Sequence, residues 1–193
     1  MIVYHVDTHK QLQKGQILLL TPARTPIYHL YPQGVCSYGE RTFIKPTTTE
    51  QQTMQAIDIF FDYVRCLRFP NKPSRFTSVY ASASLEESKT WLQRISGDFD
   101  IDSSDSRKPS TYDIPIYAVQ CDNVYIADAR FLDCESEQRD SQPALSNLLP
   151  YALAYWDSVQ QIHTAHLDSM VRKYQKPELL LVPPVYVVEQ VYP

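Results

Sequence analysis

The feature that most constrains the fold is an apolar run near the end of the sequence, from Glu178 to Val191. Its leucines, valines and tyrosine pack well on a pleated surface, which favours β-strand. Pro183-Pro184 interrupts the run, and proline cannot donate to a strand ladder. The stretch therefore predicts two consecutive strands with a break between them. A second β-branched run, Ile2 to Val6, predicts a strand near the start.

Helical patterns lie between these strands. Thr47 with Glu50 forms a capping-box pattern, and the apolar residues after it predict an amphipathic helix that ends before Pro70. These apolar residues are Met54, Ile57, Phe60, Phe61, Val64 and Leu67. A second amphipathic helix is outlined by Leu145, Leu148, Leu149, Ala152, Tyr155, Trp156 and Val159. Strands at both ends with helices between them predict an α+β fold rather than alternating βαβ units.

The rest of the sequence predicts short strands and loops. Gln16 to Leu20 is expected to be a strand, and residues 114–120 and 124–127 are expected to form a β-hairpin around Cys121. Loops or linkers are expected at residues 21–46, 97–110 and 135–142. With no internal repeat and no inter-domain linker, residues 1–193 are expected to form a single domain.

Composition argues against several functional classes. The net charge of −4 disfavours a broad nucleic-acid-binding face, and four glycines without a Gly-rich motif disfavour a phosphate-cradling loop. No apolar run reaches the ~20 residues that span a bilayer, and no signal peptide is visible, so a soluble cytoplasmic protein is expected. Delivery into another cell as a toxin or effector stays open, because specialised secretion leaves no recognisable pattern.

A strand that runs directly into a capped helix, over residues 77–91, is the best candidate for a binding wall. The strand is expected to end at Tyr80, and a Ser-x-x-Glu capping box at Ser84 opens the helix. Spacing of three and four residues then places Ser88 and Trp91 on the inward face. A tyrosine, a small hydroxyl and an indole together can wall a flat pocket.

Other groups of reactive residues do not complete a site. His163 and His166 have helical spacing for two metal ligands but lack a third. The alternating aspartates in residues 98–105 lack the glycine and glutamate of a calcium loop, and His29 with Cys36 does not match a thiol-protease pair. No metal is therefore expected. The four cysteines form no C-x-x-C motif and are expected to be reduced thiols.

Short motifs spread over residues 4–191 are similar to those of a known fold. Tyr-His stands near the start, and Glu178 opens a late apolar strand. Between them, Tyr80 is followed after seven residues by Ser88 and after two more by Trp91. This set resembles the ADP-ribosyltransferase fold, in its histidine–tyrosine–glutamate branch, which includes diphtheria-type toxins and the poly(ADP-ribose) polymerases. The resemblance implies an ADP-ribosyltransferase-like split β-sheet core with flanking helices.

The sequence also resembles an uncharacterised, mostly bacterial family of the same fold. The shared motifs are Tyr-His-Val at the start, Pro-Ser-Arg before the central strand, Tyr155-Trp156 in a helix and Pro-Glu-Leu-Leu near the end. Together these resemblances imply an enzyme that takes NAD as substrate and transfers ADP-ribose to a macromolecule. A mono-ADP-ribosyltransferase is expected, because nothing in the sequence identifies a second site for polymer growth.

The resemblance implies two catalytic residues. Breaking the bond between nicotinamide and ribose leaves positive charge on the sugar, in a transition state related to that of glycoside hydrolysis. Glu178 would stabilise that charge with its carboxylate and orient the incoming nucleophile. His5 would hold a ribose hydroxyl. Both residues are therefore expected to act at the reacting sugar.

The resemblance also implies residues that bind the rest of NAD. Tyr80 and Trp91 would stack on the flat nicotinamide ring. The backbone of Val6 and the hydroxyl of Ser88 would bond its carboxamide. Arg75 lies in a basic turn before the central strand, and it is the expected partner of the pyrophosphate.

Two departures from the resembled family narrow the expected chemistry. Val6 stands where the toxins and polymerases carry glycine, so a side chain there reshapes the nicotinamide subsite. No Gln-x-Glu or Glu-x-Glu precedes the late strand, which makes arginine a less favoured acceptor. The acidic balance favours a protein acceptor, although the basic segment at residues 65–75 keeps nucleic acid as the alternative. NAD hydrolysis and a non-catalytic binding module of the same fold are the alternative functions.

Overall fold

The computed structural model describes residues 1–22, 30–42, 49–98, 114–135, 145–163 and 166–193. The strands are β1 (Ile2–Val6), β2 (Ile17–Leu18), β3 (Val79–Ala81), β4 (Ile116–Gln120), β5 (Asn123–Asp128), β6 (Gln160–Ile162), β7 (Pro177–Val182) and β8 (Val185–Tyr192). The helices are α1 (Ser37–Thr42), α2 (Thr49–Arg68), α3 (Leu85–Asp98), α4 (Leu145–Ser158) and α5 (Leu167–Val171), with 3₁₀ segments at Arg75–Thr77 and Ala129–Glu135. The α+β class is therefore confirmed.

The strands form two antiparallel four-stranded sheets, in the orders β1-β4-β8-β2 and β3-β7-β5-β6. Because β4 and β5 belong to different sheets, the predicted hairpin around Cys121 is wrong. A two-residue hairpin turn of the favoured type needs a backbone with positive φ, which neither Asp122 nor Asn123 adopts. The break predicted at Pro183-Pro184 is confirmed, and there too the chain passes from one sheet to the other.

A short contact joins the two sheets at the middle of β1. The backbone N–H of Tyr4 donates to the carbonyl oxygen of Ser82 at 3.0 Å, and the N–H of Ser82 donates to the carbonyl oxygen of Tyr4 at 2.8 Å. Since β3 ends at Ala81, this pair holds β1 against the end of β3. His5 and Tyr80 are therefore neighbours although they lie 75 residues apart in the sequence.

Two apolar clusters hold the sheets and helices together. One contains buried residues of both sheets, such as Val3 and Leu181. The other packs α2 and α4 against β5, with Phe61 and Trp156 completely buried. The indole Nε1–H of Trp156 donates to the carbonyl oxygen of Phe61 at 2.6 Å, so the two helices are tied by a hydrogen bond as well as by packing. Burying each such large side chain stabilises the fold by roughly 1.5–3 kcal/mol.

The predicted helices agree with the structure, whereas the second strand is shorter than expected. The helix α2 ends at Arg68, before Pro70, and α4 covers the amphipathic pattern that begins at Leu145. The strand expected at residues 16–20 is only Ile17–Leu18. The loop expected at residues 21–46 is wrong in part, because α1 (Ser37–Thr42) lies within it; a helix of six residues is too short to show an amphipathic repeat. The predictions that concern Thr47 and His29, and most of the loops at residues 97–110 and 135–142, lie outside the described residues. No described helix is long and apolar enough to cross a membrane.

Candidate active site

A cavity of about 700 Å³ opens where β1, β3 and the start of β7 meet. Pockets for small molecules and cofactors have volumes of roughly 300–1,000 Å³, so the cavity is large enough for a ligand of that kind. Its lining brings together His5, Tyr80 and Glu178, and Ile17 to Leu19 form an apolar wall on the side of β2.

His5 reaches the cavity from β1. Its Nδ1 lies 2.6 Å from the carbonyl oxygen of Tyr80. A carbonyl oxygen only accepts hydrogen bonds, so Nδ1 carries a proton, and Nε2 is then an acceptor when the ring is neutral. The contact therefore sets both the tautomer and the orientation of the imidazole.

Tyr80 lies in the middle of β3, opposite Leu180 of β7. Its hydroxyl accepts a hydrogen bond from Nε of Arg75 at 3.2 Å and donates one to the carbonyl oxygen of Arg75 at 3.1 Å. The guanidinium carbon of Arg75 also lies 5.3 Å from the centre of the Tyr80 ring, within cation–π range. The ring of Tyr80 is therefore fixed by the same residue at its hydroxyl and at its face.

Arg75 lies between two carboxylates. One guanidinium nitrogen lies 3.6 Å from Asp58 Oδ1 on α2, and the other lies 3.5 Å from Glu178 Oε2 on β7. The side chain is only 11% exposed, so both contacts are shielded from bulk water. Arginine suits this position, because its planar fork can meet several oxygens at once and stays charged.

A buried aspartate holds the turn that carries Arg75. Asp62 on α2 accepts hydrogen bonds from Ser74 Oγ at 2.6 Å and from Arg65 Nε at 2.8 Å. It also accepts one from the hydroxyl of Tyr31. Ser74 Oγ in turn accepts from a backbone N–H of the 3₁₀ segment at 3.1 Å, which caps that segment. Burial and the Asp62 carboxylate together raise the pKa of Tyr31 above its ordinary value.

Glu178 is the second residue of β7 and is buried, with 7% of its surface exposed. Its Oε1 accepts a hydrogen bond from the hydroxyl of Tyr155 on α4 at 2.7 Å. The backbone before it is held as well, because the N–H of Lys176 donates to Asp128 Oδ1 at 3.3 Å and its carbonyl oxygen accepts from Ala129 at 2.8 Å. Both the carboxylate and the start of β7 are therefore fixed in place.

The remaining predicted site residues divide into two groups. Val6 and Trp91 line the cavity together with the residues described above. The indole of Trp91 also lies under Nζ of Lys176, which is 5.1 Å from the ring centre. Ser88 does not line the cavity: it is completely buried, and its hydroxyl donates to the carbonyl oxygen of Tyr4 at 3.4 Å.

Residues 3–191 match a family described as "Protein of unknown function (DUF2441)". The chain belongs to the DUF2441 family. No curated protein matches its sequence. All of the residues that line the polar end of the cavity lie inside the matched region of this DUF2441 protein.

Two residues at this DUF2441 site are not identified from the sequence. Asp58 and Tyr155 contact Arg75 and Glu178 from the two helices that pack on β5. Helical spacing indicates which face of a helix points inward, but it does not indicate which polar group that face meets. Tyr155 belongs to a motif of the resembled bacterial family, and that motif is the only sequence signal that singles it out.

The charged groups that line the cavity are mostly acidic. Arg75 is joined there by Asp7, Glu40 and Glu178. Asp7 caps the loop after β1, accepting from the backbone N–H groups of Gln11 and Leu12 at 2.7 Å each. Within the ranges that the structure describes, no group of three or more His, Cys, Asp or Glu residues could hold a metal ion.

Proposed function

We propose that this protein is a mono-ADP-ribosyltransferase, which cleaves the nicotinamide–ribose bond of NAD and passes ADP-ribose to a macromolecular acceptor. The observation that carries the proposal is that His5, Tyr80 and Glu178 line one cavity although they come from β1, β3 and β7. Two antiparallel sheets joined beside β1 support the finer proposal of an ADP-ribosyltransferase-like split sheet. In this proposal NAD is a substrate and not a resident cofactor.

The proposed reaction breaks the bond between the ribose C1′ and the nicotinamide nitrogen. Nicotinamide leaves as a neutral molecule with the bonding electron pair, and positive charge develops on the ribose. A carboxylate at this position stabilises that charge, which is the role proposed for Glu178. An acceptor nucleophile then forms the new bond to C1′, and its proton passes to the carboxylate and on to water.

The aromatic side chains support binding of the leaving group. Tyr80 and Trp91 both line the cavity and offer flat surfaces to a flat ring. The backbone of Val6 is the proposed partner of the carboxamide. Ser88, whose hydroxyl bonds to Tyr4, supports the strand behind the cavity, and the proposal assigns it no contact with the ligand.

The polar groups support binding of the sugar and phosphates. Because Nδ1 of His5 is committed to the Tyr80 carbonyl, the proposal gives Nε2 the role of accepting a hydrogen bond from a ribose hydroxyl. Arg75 is the proposed partner of the pyrophosphate, since a guanidinium binds phosphate oxygens in a bidentate manner. The ligand would then compete with Asp58 and Glu178 for the guanidinium.

The proposal is tested by nicotinamide release from labelled NAD in the presence of whole-cell lysate. Glu178→Gln keeps the size of the side chain but removes its charge, so release is expected to fall at least ~100-fold. Glu189→Gln, the same change at an exposed position of β8, is the matched control and is expected to behave as wild type. Equal release by the wild type and Glu178→Gln would contradict the proposal.

The destination of a label in the ADP-ribose part of NAD identifies the acceptor. Label on protein is the expected outcome, and label on nucleic acid would identify the alternative acceptor. Free ADP-ribose without labelled macromolecules would identify the protein as an NAD glycohydrolase. If calorimetry detects no NAD binding and NAD leaves the unfolding temperature unchanged, the protein is a non-catalytic module, and the enzymatic proposal fails.

A further inference from the structure

The hydroxyl of Tyr155 contacts Glu178 from the side of the protein interior. It donates a 2.7 Å hydrogen bond to Oε1, and Tyr155 has no exposed surface. Tyr155 does not line the cavity, whereas Glu178 does. The tyrosine therefore reaches the carboxylate from behind, without a position from which it would touch a ligand in the cavity.

The ring that carries this hydroxyl is held on several sides. Its neighbour Trp156 packs edge-on at 4.8 Å between ring centres with an interplanar angle of 84°, and Phe61 packs at 5.9 Å with an angle of 62°. The hydrogen bond from Trp156 to the Phe61 carbonyl oxygen ties these side chains to both α4 and α2. A hydroxyl on a ring packed in this way has a well-defined position, because protein interiors leave little room for ring movement.

The two oxygens of Glu178 consequently have different surroundings. Oε1 is bonded to Tyr155 in the interior, and Oε2 lies 3.5 Å from Arg75, a residue that lines the cavity. Holding one oxygen fixes the rotation of the carboxylate about its terminal bond, which is otherwise broad for glutamate. The other oxygen is thereby directed to the cavity side.

We propose that Tyr155 is a positioning residue that aims Oε2 of Glu178 at the reacting sugar. This inference rests on the proposed function, because it assigns Tyr155 a role in the reaction for which Glu178 is proposed. Without the hydroxyl, the carboxylate rotates among several orientations, and only some of them stabilise the developing charge. Small losses of geometry at a reacting centre reduce rates by up to ~100-fold. Substrate binding is unaffected, since Tyr155 does not line the cavity.

The test compares Tyr155→Phe with Tyr151→Phe, in steady-state nicotinamide release from NAD. Tyr151 lies one turn earlier on α4 and is half-buried, so the control also loses a tyrosine hydroxyl from the same helix. Tyr155→Phe is expected to lower kcat about 10- to 100-fold with KM within about twofold of wild type. Tyr151→Phe is expected to change neither constant. An unchanged kcat in Tyr155→Phe, or a raised KM with unchanged kcat, would overturn the inference.

A second measurement separates this inference from the proposed function. If the wild type releases no nicotinamide, the proposed function fails, and the contact is then examined by thermal unfolding. Tyr155→Phe is expected to lower the unfolding temperature by about 3–10 °C in the wild-type background. In a Glu178→Leu background the same substitution is expected to have little effect, because no carboxylate remains to accept the hydrogen bond. Equal shifts in both backgrounds would show that Tyr155 does not hold Glu178 and would overturn the inference.

Discussion

The imidazole Nδ1 of His5 lies 2.6 Å from the carbonyl oxygen of Tyr80. This contact joins two residues proposed to bind the same substrate, and it crosses the junction where β1 meets the end of β3. The histidine therefore has a structural role that is separable from any role in binding. A substitution that keeps a donor in the place of Nδ1 but has no counterpart of Nε2 distinguishes the two roles.

The first prediction concerns His5→Asn and His5→Ala. The side-chain amide of asparagine can donate to the Tyr80 carbonyl as Nδ1 does, but it has no counterpart of Nε2. His5→Ala is expected to lower the free energy of unfolding by about 1 kcal/mol, and His5→Asn to recover most of that loss. NAD affinity is expected to fall in both variants. Urea unfolding and calorimetry measure the two effects, and equal destabilisation by both substitutions would count against the hydrogen bond.

The second prediction concerns Arg75→Lys. A lysine keeps the charge, but a single ammonium cannot replace the contacts that the guanidinium makes with Asp58, Glu178 and the Tyr80 hydroxyl. If Arg75 binds the pyrophosphate, NAD affinity is expected to fall about tenfold, as measured by calorimetry.

The matched control for this prediction is Arg68→Lys, at an exposed position in the last turn of α2. It is expected to leave NAD affinity unchanged. If Arg75→Lys binds NAD as tightly as wild type, Arg75 is not part of the proposed pyrophosphate site.

Local patterns are enough to predict α2, α3 and α4, whereas α1 lies inside a stretch predicted to be a loop. The capping box at Ser84 is an example, since Ser84 Oγ accepts from the N–H of Glu87 at 3.2 Å, and the Glu87 carboxylate accepts from the N–H of Ala83 at 3.0 Å. Such signals depend on residues within one turn of each other. They are therefore visible without knowledge of the rest of the fold.

Strand pairing is harder to predict, because it depends on residues far apart in sequence. Residues 116–119 of β4 are all buried, so no alternation of polar and apolar residues shows which neighbour the strand takes. Proximity in sequence favours β5, yet β4 pairs with β1 and β8. The chain changes sheet four times, after β2, β3, β4 and β7, so strands that follow each other in sequence often lie in different sheets.

Only part of the candidate site can be predicted, because it too depends on contacts between residues far apart in sequence. The resemblance identifies residues by spacing, and six of the seven it identifies line the cavity. Ser88 keeps the spacing but bonds to the Tyr4 carbonyl, because α3 packs directly on β1. Asp58 and Tyr155 are missed, since their contacts arise only when helices and strands from distant parts of the sequence pack together.

The third prediction concerns Gly39, in the middle of α1. A Cβ built at this position would overlap the backbone carbonyl oxygen of Phe76, so α1 packs against the 3₁₀ segment at a distance that only glycine permits. Gly39→Ala is expected to lower the free energy of unfolding by about 1–3 kcal/mol, because the rigid backbone opposite has to move. Arg75 begins the same segment, so NAD affinity is expected to fall as well.

Gly15→Ala is the control for steric overlap. Gly15 has a φ of +83°, but a Cβ there has no neighbouring atom within 4 Å. The substitution is therefore expected to cost about 1 kcal/mol of backbone strain and to leave NAD affinity unchanged. A smaller loss of stability in Gly39→Ala than in Gly15→Ala, measured by urea unfolding, would show that α1 does not need the close approach.

The fourth prediction concerns the pH dependence of stability and rests on Tyr31. Burial and the neighbouring Asp62 carboxylate raise the pKa of Tyr31 in the folded protein. The unfolded chain releases this proton near the ordinary tyrosine pKa of about 10, whereas the folded protein retains it to higher pH. The contribution of Tyr31 to stability is therefore complete below about pH 10 and decreases as pH rises, by up to ~1.4 kcal/mol per pH unit.

Tyr31→Phe isolates this contribution, because it removes the ionisable hydroxyl and its hydrogen bond to Asp62. At pH 8 the variant is expected to be less stable than wild type by about 1.5–3 kcal/mol, the usual loss for a hydrogen bond to a charged group. The difference is expected to shrink between pH 10 and 11.5, because the wild type loses stability there and the variant loses less. Tyr63→Phe, at a position 59% exposed, is the control and is expected to follow the wild type at every pH. A constant difference between wild type and Tyr31→Phe across this range, measured by urea unfolding, would mean that Tyr31 ionises equally in the folded and unfolded states.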